Sequence, residues 1–178
     1  MVSDAPCAPR PSTAEVWEWL SAVPDPEIPV ISVTDLGIVR DVLYEGDTLV
    51  VRVTPTYSGC PATAVINLDI ETALRARGVE RLRLERRLSP PWTTDWLTEA
   101  AREKLRAYGI AAPVDGTRAD GRLMARASRL AGASNLGVAC PRCGSADTEE
   151  ISRFGSTPCK ASWRCRDCLE PFDYFKCI

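Results

Sequence analysis

Residues 140–168 contain two short cysteine pairs, Cys140-Pro141-Arg142-Cys143 and Cys165-Arg166-Asp167-Cys168, separated by residues 144–164. Each pair can form a turn that directs two sulfurs at one metal ion, and two such pairs at about this separation are typical of a zinc ribbon. The segment also contains the aromatic residues needed to cover so small a module: Phe154, Trp163, Phe172, Tyr174 and Phe175. The spacing predicts one structural Zn²⁺, with iron in the same tetrahedron as the alternative, held by Cys140, Cys143, Cys165 and Cys168.

The whole chain of 178 residues contains eight cysteines and no histidine. Without an imidazole it cannot use a histidine general base, a Ser-His or Cys-His pair, or a histidine metal site. We see no signal peptide and no apolar run long enough to span a membrane, so we expect a cytoplasmic protein whose thiols are reduced. The net charge of -2 gives no electrostatic reason to bind nucleic acid or an anionic membrane.

Residues 12–112 have the patterns of a small domain that mixes helices and strands. Apolar residues recur at helical spacing in three stretches and alternate with polar residues in three others. The sequence therefore predicts an α+β fold with three helices packed on a small sheet, then a flexible linker at 113–139 and the ribbon at 140–178. The predicted helices span about 12–23, 61–77 and 95–108, and the predicted strands span 38–44, 48–54 and 79–88.

The helix ends have recognisable signals. Ser12 and Glu15 are spaced as a capping box at the start of the first helix. We place the N-terminus of the third helix at Asp95 and its C-terminus at Gly109. The inward face of that helix is predicted to contain Leu97, Ala101, Leu105 and Tyr108.

The third predicted strand has two different faces. One face is predicted to meet the core through Leu82, Leu84 and Leu88. The other contains Arg81, Arg83 and Arg87. A solvated surface is the simplest interpretation of these arginines, and a docking surface for a partner is the alternative.

Cys60 differs from the other cysteines because it precedes Pro61, which opens the second predicted helix. At such an N-cap position, free backbone N–H groups and the helix dipole favour a thiolate, which is both a nucleophile and a metal ligand. No histidine can act as its base, so metal or cluster handling fits better than hydrolysis. The alternative is a buried cysteine that only caps the helix.

Three cysteines remain outside these sites. Cys159 and Cys177 lie beside the predicted ribbon, and Cys7 lies in an N-terminal tail. A closed zinc site takes four ligands, so the two ribbon-side thiols are either packed as small apolar groups or form an accessory pair able to hand over metal. The sequence leaves both interpretations open.

Several longer motifs resemble a known family. The stretches DPEIPV (25–30), DLGIV (35–39) and TPTYSGCP (54–61) closely resemble the small iron–sulfur assembly domain of SufT-like factors and of the cytosolic iron–sulfur targeting machinery. The stretches PPWTTDW (90–96), CKA (159–161) and EPFDYFKC (170–177) are similar to the D subunits, also lettered J, of bacterial phenylacetyl-CoA epoxidase. The resemblance covers nearly the whole chain apart from the tail and the linker.

The resemblance implies an accessory protein rather than an enzyme. In aerobic phenylacetate degradation, a multicomponent oxygenase epoxidises the ring of phenylacetyl-CoA at a diiron subunit, with electrons from a reductase that carries flavin and a 2Fe–2S cluster. The implied role is maturation or delivery of a metal centre, with that cluster as the implied target. The expected partners are the reductase or other epoxidase subunits, and the expected cofactors are Zn²⁺ in the ribbon and a transient iron–sulfur cluster.

The resemblance also implies roles for individual residues. Cys60 would be the reactive or cluster-contacting thiol, and the same pocket would be lined by Asp25, Glu27, Thr54 and Ser58. From the residues alone, the two carboxylates are no more than a solvated pair beside a proline turn. One thiolate supplies one ligand, so a cluster would need a homodimer that meets at Cys60 or thiols from a client protein.

Two other functions stay open. The chain could be a structural or docking subunit of the oxygenase complex that handles no cluster. A zinc-ribbon regulator of transcription is the weaker alternative, because residues 140–178 contain equal numbers of basic and acidic side chains and no basic face.

Overall fold

The structure is a computed structural model that describes residues 10–57, 59–113 and 138–176. Within these residues the chain forms three α-helices, seven strands and one 3₁₀ turn, which confirms the predicted α+β class. In chain order the elements are α1 (Thr13–Ser21), β1 (Val39–Glu45), β2 (Thr48–Val53), α2 (Thr63–Arg75), β3 (Leu82–Arg86), the 3₁₀ turn (Thr94–Trp96), α3 (Glu99–Tyr108), β4 (Ile110–Ala111), β5 (Thr148–Ser152), β6 (Lys160–Cys165) and β7 (Pro171–Phe175).

Helix α1 begins where the sequence predicts. The Glu15 N–H donates to the Ser12 hydroxyl at 3.2 Å, and the Ser12 N–H donates to the Glu15 carboxylate at 2.8 Å, so the predicted capping box is formed. The apolar side of α1 faces α2 and β1 and fully buries Val16 and Leu20. Local capping and one apolar stripe therefore account for this helix.

A three-stranded sheet, in the order β1-β2-β3, forms the centre of the first part of the chain. β1 and β2 make the predicted antiparallel hairpin, which turns at Gly46 and Asp47. β2 and β3 are parallel, and α2 connects them. Leu49 and Val51 of β2 are fully buried, since β2 is the central strand.

The two faces of β3 differ as the sequence predicts, except at one residue. Leu82 and Leu84 pack against the core. Leu88 lies beyond the end of the strand and is 53% exposed, so its predicted inward position is wrong. The arginine face is solvated, because three side chains, each about half exposed or more, pair with acidic residues of the hairpin or of β3 itself: Arg81, Arg83 and Arg87.

Helix α3 begins later than predicted. Thr98, and not Asp95, is the N-cap, and its hydroxyl accepts the Ala101 N–H at 3.0 Å. Asp95 lies in the preceding 3₁₀ turn, and Leu97 separates the two elements because its backbone is extended, with φ −63° and ψ 130°. Tyr108 is 56% exposed, so its predicted inward position is also wrong. The other predicted inward residues are buried: Leu97, Ala101 and Leu105.

The ribbon sheet has the strand order β4-β7-β6-β5. β5, β6 and β7 are antiparallel neighbours, as expected for a ribbon. β4, which directly follows α3, pairs in parallel with β7 through Ile110 and Asp173 and through Ala111 and Tyr174. The end of the first part of the chain is therefore a strand of the ribbon sheet.

The two parts of the chain also share a hydrophobic core. Cys159 and Phe175, both from the ribbon, are buried in the cluster formed by α1, α2 and the first sheet. The Phe175 ring meets Trp92 edge to face at a centroid distance of 6.1 Å.

Most of the predicted linker, residues 114–137, lies outside the described residues. The domain limits 12–112, 113–139 and 140–178 therefore stay a prediction. Among the residues that the structure describes, no helix has the length and apolar composition of a membrane span.

Candidate functional site

The four ribbon cysteines come together as predicted. The sulfurs of Cys140 and Cys168 are 3.7 Å apart, those of Cys143 and Cys165 are 3.6 Å apart, and all four lie within 4.8 Å of one another. A tetrahedron of Zn–S bonds of about 2.3 Å places its sulfurs about 3.8 Å apart. The spacing and chemistry of these thiols therefore fit a closed zinc site.

A backbone N–H group supports the thiolate form of one cysteine in this cluster, Cys165. The Cys168 N–H points at Cys165 Sγ at 3.5 Å, and this donor is the main cause that lowers the pKa of Cys165 to about 7. The first cysteine pair is shaped by a turn in which the Gly144 N–H donates to the Cys140 carbonyl at 2.9 Å. Both turns hold their sulfurs in place with backbone hydrogen bonds.

A second cluster of chemical groups surrounds a cavity of about 20 Å³, which we call the Cys60 cavity. Its polar lining comes from three regions: the loop after α1, the segment between β2 and α2, and the residue before β6 in the ribbon. Its apolar wall includes Ile28, Ile66 and Phe175. The polar lining residues are Asp25, Glu27, Thr56, Cys60 and Cys159.

Asp25 organises the loop that forms one wall of the cavity. Its carboxylate accepts the N–H groups of Glu27 at 2.9 Å and of Ile28 at 2.8 Å. Only 6% of Asp25 is exposed, and burial raises its pKa although the two N–H donors act in the opposite direction. These bonds fix the backbone of Glu27, whose side chain reaches the cavity.

Cys60 lies in the cavity, but it is not the N-cap of α2. The N-cap is Ala62, which has helical dihedral angles and offers no side-chain cap. Cys60 lies in the preceding turn, where its N–H donates to the Tyr57 carbonyl and its own carbonyl accepts the Thr63 N–H, both at 3.2 Å. The predicted position at the helix terminus is therefore wrong, because Pro61 and Ala62 form a turn before the helix begins.

Cys159 is the residue that the sequence did not place in this cavity. Its thiol lies 3.4 Å from Glu27 Oε2 and 3.1 Å from Thr157 Oγ1, and the residue is 5% exposed. Burial is the main cause that raises the pKa of Cys159 to about 11, and the Glu27 carboxylate adds to it. Cys159 is therefore a neutral thiol that donates to Glu27.

Of the remaining predicted pocket residues, the structure describes Thr54. Thr54 is buried beside the cavity without lining it, its N–H donating to the Ile38 carbonyl at 2.8 Å, and Thr56 takes its place in the lining. Ser58, Cys177 and Cys7 lie outside the described residues. In the part of the chain that is described, the ribbon cysteines are the one group of three or more ligand side chains with atoms within 4.8 Å of one another.

Two family models match separate parts of the chain. One, described as iron–sulfur cluster assembly protein, matches residues 13–81. The other, described as the PaaD zinc beta ribbon domain, matches residues 125–176. The first contains Asp25, Glu27 and Cys60, and the second contains Cys159 and the four ribbon cysteines.

Three solved structures are similar to part of the chain. A domain of unknown function, DUF59, from Bacillus anthracis is 28% identical, covers 52% of this chain and 90% of its own, and gives a TM-score of 0.48. A conserved hypothetical protein from Thermotoga maritima is 29% identical over 56% of this chain and 98% of its own, with a TM-score of 0.48. A Mycobacterium tuberculosis protein associated with Fe–S complex assembly and repair is 36% identical, covers 60% of this chain and 96% of its own, and gives a TM-score of 0.32.

A curated relative matches almost the full length of both chains. It is the D subunit of 1,2-phenylacetyl-CoA epoxidase from Escherichia coli strain K12, and it is 48% identical over 168 residues, which are 94% of each chain. The match spans the Cys60 cavity and the ribbon together. The chain therefore belongs to the family of phenylacetyl-CoA epoxidase D subunits, with an iron–sulfur assembly domain joined to a zinc ribbon.

Proposed function

We propose that this chain is a non-catalytic accessory factor of phenylacetyl-CoA epoxidase that matures or delivers the 2Fe–2S centre of the reductase component. The observation that carries the proposal is the Cys60 cavity, which brings a partly exposed thiol together with Asp25 and Glu27. Family membership supports the oxygenase as the system served. Other epoxidase subunits are the partners that this role requires.

The ligand inventory of the Cys60 cavity supports transient handling of cargo. Clusters are held by four ligands, usually thiolates, and a carrier must leave some positions free so that a client can take the cluster over. The Cys60 cavity has fewer thiols than that, whereas the ribbon has a complete set of four. In this proposal Cys60 contacts the cargo and the ribbon cysteines hold a resident Zn²⁺.

The same chemistry requires a reducing compartment. Cys60 and Cys159 must be thiols to bind metal, and the described cysteines are all free. We therefore place the protein in the cytoplasm, where thiol buffers keep such groups reduced.

The test supplies the product of the proposed step, which is reductase that already contains its cluster. An oxygenase mixture assembled without this chain is supplied either with apo-reductase or with reductase already loaded with its 2Fe–2S cluster. Loaded reductase should restore epoxidation of phenylacetyl-CoA to the level seen when this chain is present, while apo-reductase should not. Continued inactivity with loaded reductase would contradict the maturation role.

One observation favours a second candidate, a docking component of the oxygenase. An open groove of about 500 Å³ runs along the ribbon sheet beside α3 and includes the exposed Tyr108 and Ile151. Exposed apolar side chains beside a groove are typical of protein contact surfaces. Inactivity with loaded reductase is the result that this candidate predicts.

A further inference from the structure

The Cys60 cavity combines groups that a single local motif could not supply. Cys60 comes from the turn before α2, Glu27 from the loop after α1, and Cys159 from the residue before β6 of the ribbon. Glu27 and Cys159 are 132 positions apart and still in contact at 3.4 Å. Two thiols and a carboxylate are the donors that thiophilic divalent cations such as Fe²⁺ and Zn²⁺ accept.

We propose that the Cys60 cavity is a site for one thiophilic divalent cation, with Cys60 and Cys159 as sulfur ligands and Glu27 as an oxygen ligand. The inference rests on the proposed function and specifies the form of the cargo: a single ion of the Fe²⁺ class, held within one chain. A homodimer that meets at Cys60 is then not required, because the second thiol comes from the ribbon of the same chain.

The size of the cavity favours an ion over a cluster. A volume of about 20 Å³ holds one group the size of a water molecule. A bare divalent cation fits this space, whereas a cluster of two irons and two sulfides requires the cavity to open. Apolar side chains such as Ile28 and Phe175 close the rest of the wall, so water would reach the ion only past the partly exposed ligands.

Binding the ion requires a movement of the Cys60 side chain. Three ligand atoms within 4.8 Å of one another occur only at the ribbon among the described residues, so the Cys60 side chain must rotate inward to close the new site. Cys60 is only partly buried, so packing does not enclose its whole side chain. Cys159 and Glu27 already face each other.

The chemical step is a ligand exchange without electron transfer. The S–H bonds of Cys159 and Cys60 break, two S–metal bonds form, and the two protons leave to solvent. Glu27 accepts the hydrogen bond of the Cys159 thiol and is placed to receive that proton first. A cation then offsets the cost of holding two thiolates in a buried place.

Two lysines lie close to this site. The Lys176 N–H donates to the Cys159 carbonyl at 2.9 Å, and its ammonium donates to the Arg153 carbonyl at 3.0 Å. Lys160 follows Cys159 and is buried, and its ammonium lies 3.5 Å from Asp173. That carboxylate neutralises much of the repulsion that the ammonium would exert on an incoming cation. The local balance therefore still favours a cation.

The test uses Co²⁺ as a coloured probe, added anaerobically to the full-length, zinc-loaded protein. Wild type should bind one Co²⁺ per chain beyond the zinc and show thiolate-to-cobalt absorption in the near ultraviolet. Cys60→Ser and Cys159→Ser should each weaken Co²⁺ binding at least tenfold, and Glu27→Gln should weaken it about tenfold while keeping the thiolate band. Cys7→Ser is the matched control and should bind as wild type.

Three results would overturn the inference. Unchanged Co²⁺ binding in Cys159→Ser would remove the second sulfur ligand. Absence of bound Co²⁺ in wild type would show that the ion site does not exist. If iron and sulfide still produced a cluster absorption that depends on Cys60, the proposed function would stand without the ion site. Zinc content and the melting temperature show whether each variant is folded. A bifunctional thiol reagent tests whether Cys60 and Cys159 lie close together, and mass spectrometry identifies the bridged product. The same reaction can be run in any variant that keeps both cysteines. Failure to bridge them in wild type is the third contrary result.

Discussion

Asp25 shows how one side chain shapes the candidate site through the backbone of its own loop. Its carboxylate accepts two backbone N–H groups of its own loop and so holds Glu27 at the edge of the Cys60 cavity. Burial raises its pKa, which means that the charged form is held at some cost by the loop around it. The important property of Asp25 is therefore the oxygen Oδ1, which accepts both N–H groups, rather than its charge.

Two substitutions of Asp25 separate these properties. Asp25→Ala leaves two buried N–H groups unsatisfied and should lower the free energy of unfolding by about 1–3 kcal/mol. Asp25→Asn keeps an acceptor oxygen and removes the buried charge, so it should change stability by less than about 1 kcal/mol. Urea unfolding of both variants is the measurement. Equal losses of stability would contradict the account of this loop.

At the residue scale, the sequence predicted the part of the site that lies within short motifs. The motifs at 25–30 and 54–61 resemble a known pocket, which is enough to bring Asp25, Glu27 and Cys60 together. Cys159 could not be assigned in this way, because its contact with Glu27 depends on how the ribbon packs on the first part of the chain. A buried cysteine beside a zinc ribbon has the same local pattern whether it lines a cavity or fills a core.

At the scale of elements, Gly37 fixes the loop that precedes β1 against the 3₁₀ turn. Its φ of +65° is in the left-handed region, and a Cβ at this position would lie 2.6 Å from the Trp96 carbonyl oxygen. Gly46, in the hairpin, has a similar φ of +59°, and a Cβ there would have nothing within 4 Å. The two glycines therefore share a left-handed backbone but differ in the space around them.

Alanine substitutions at Gly46 and Gly37 give a matched comparison of stability. Gly46→Ala should cost about 1 kcal/mol, from the left-handed backbone alone. Gly37→Ala should cost about 3 kcal/mol or more, because the loop must also move away from Trp96. Thermal unfolding monitored by circular dichroism measures both. The explanation fails if the two variants lose the same stability.

Local signals predicted the elements whose ends are determined locally. The capping box of α1 and the hairpin of β1 and β2 depend on neighbouring residues only, and both are present. The start of α3 combines a local cap, the Thr98 hydroxyl that accepts the Ala101 N–H, with a distant contact in which the Thr98 N–H donates to the Asp35 carbonyl at 3.1 Å. Apolar periodicity does not separate the 3₁₀ turn from the helix that follows it, so the predicted start at Asp95 is wrong.

At the scale of the whole molecule, the ribbon forms part of the first domain's structure. β4 pairs with β7, and Phe175 and Cys159 are buried in the core below α1 and α2. A metal that holds the ribbon together therefore also holds one wall of the Cys60 cavity. The sequence separated the two parts by composition and could not show that they share a sheet and a core.

Removal of the ribbon metal tests this connection. Cys143→Ser, or treatment of wild type with a strong chelator, should release the zinc and unfold the ribbon. Loss of the Phe175 contacts should then lower the melting temperature of the first domain by roughly 5–10 °C. Calorimetry of the full chain provides the measurement, with Cys7→Ser as control. A first-domain transition that keeps its temperature would contradict the shared core.

The central claim is that this chain helps to build the reductase cluster through Cys60. The most direct measurement is the rate at which the 2Fe–2S signal of the reductase appears when apo-reductase receives iron and sulfide with or without this chain. Samples are reduced with dithionite before electron paramagnetic resonance, because only the reduced cluster gives a signal. Wild type and Cys7→Ser should accelerate loading, and Cys60→Ser should load no faster than iron and sulfide alone. Acceleration by Cys60→Ser equal to that of wild type would contradict the account.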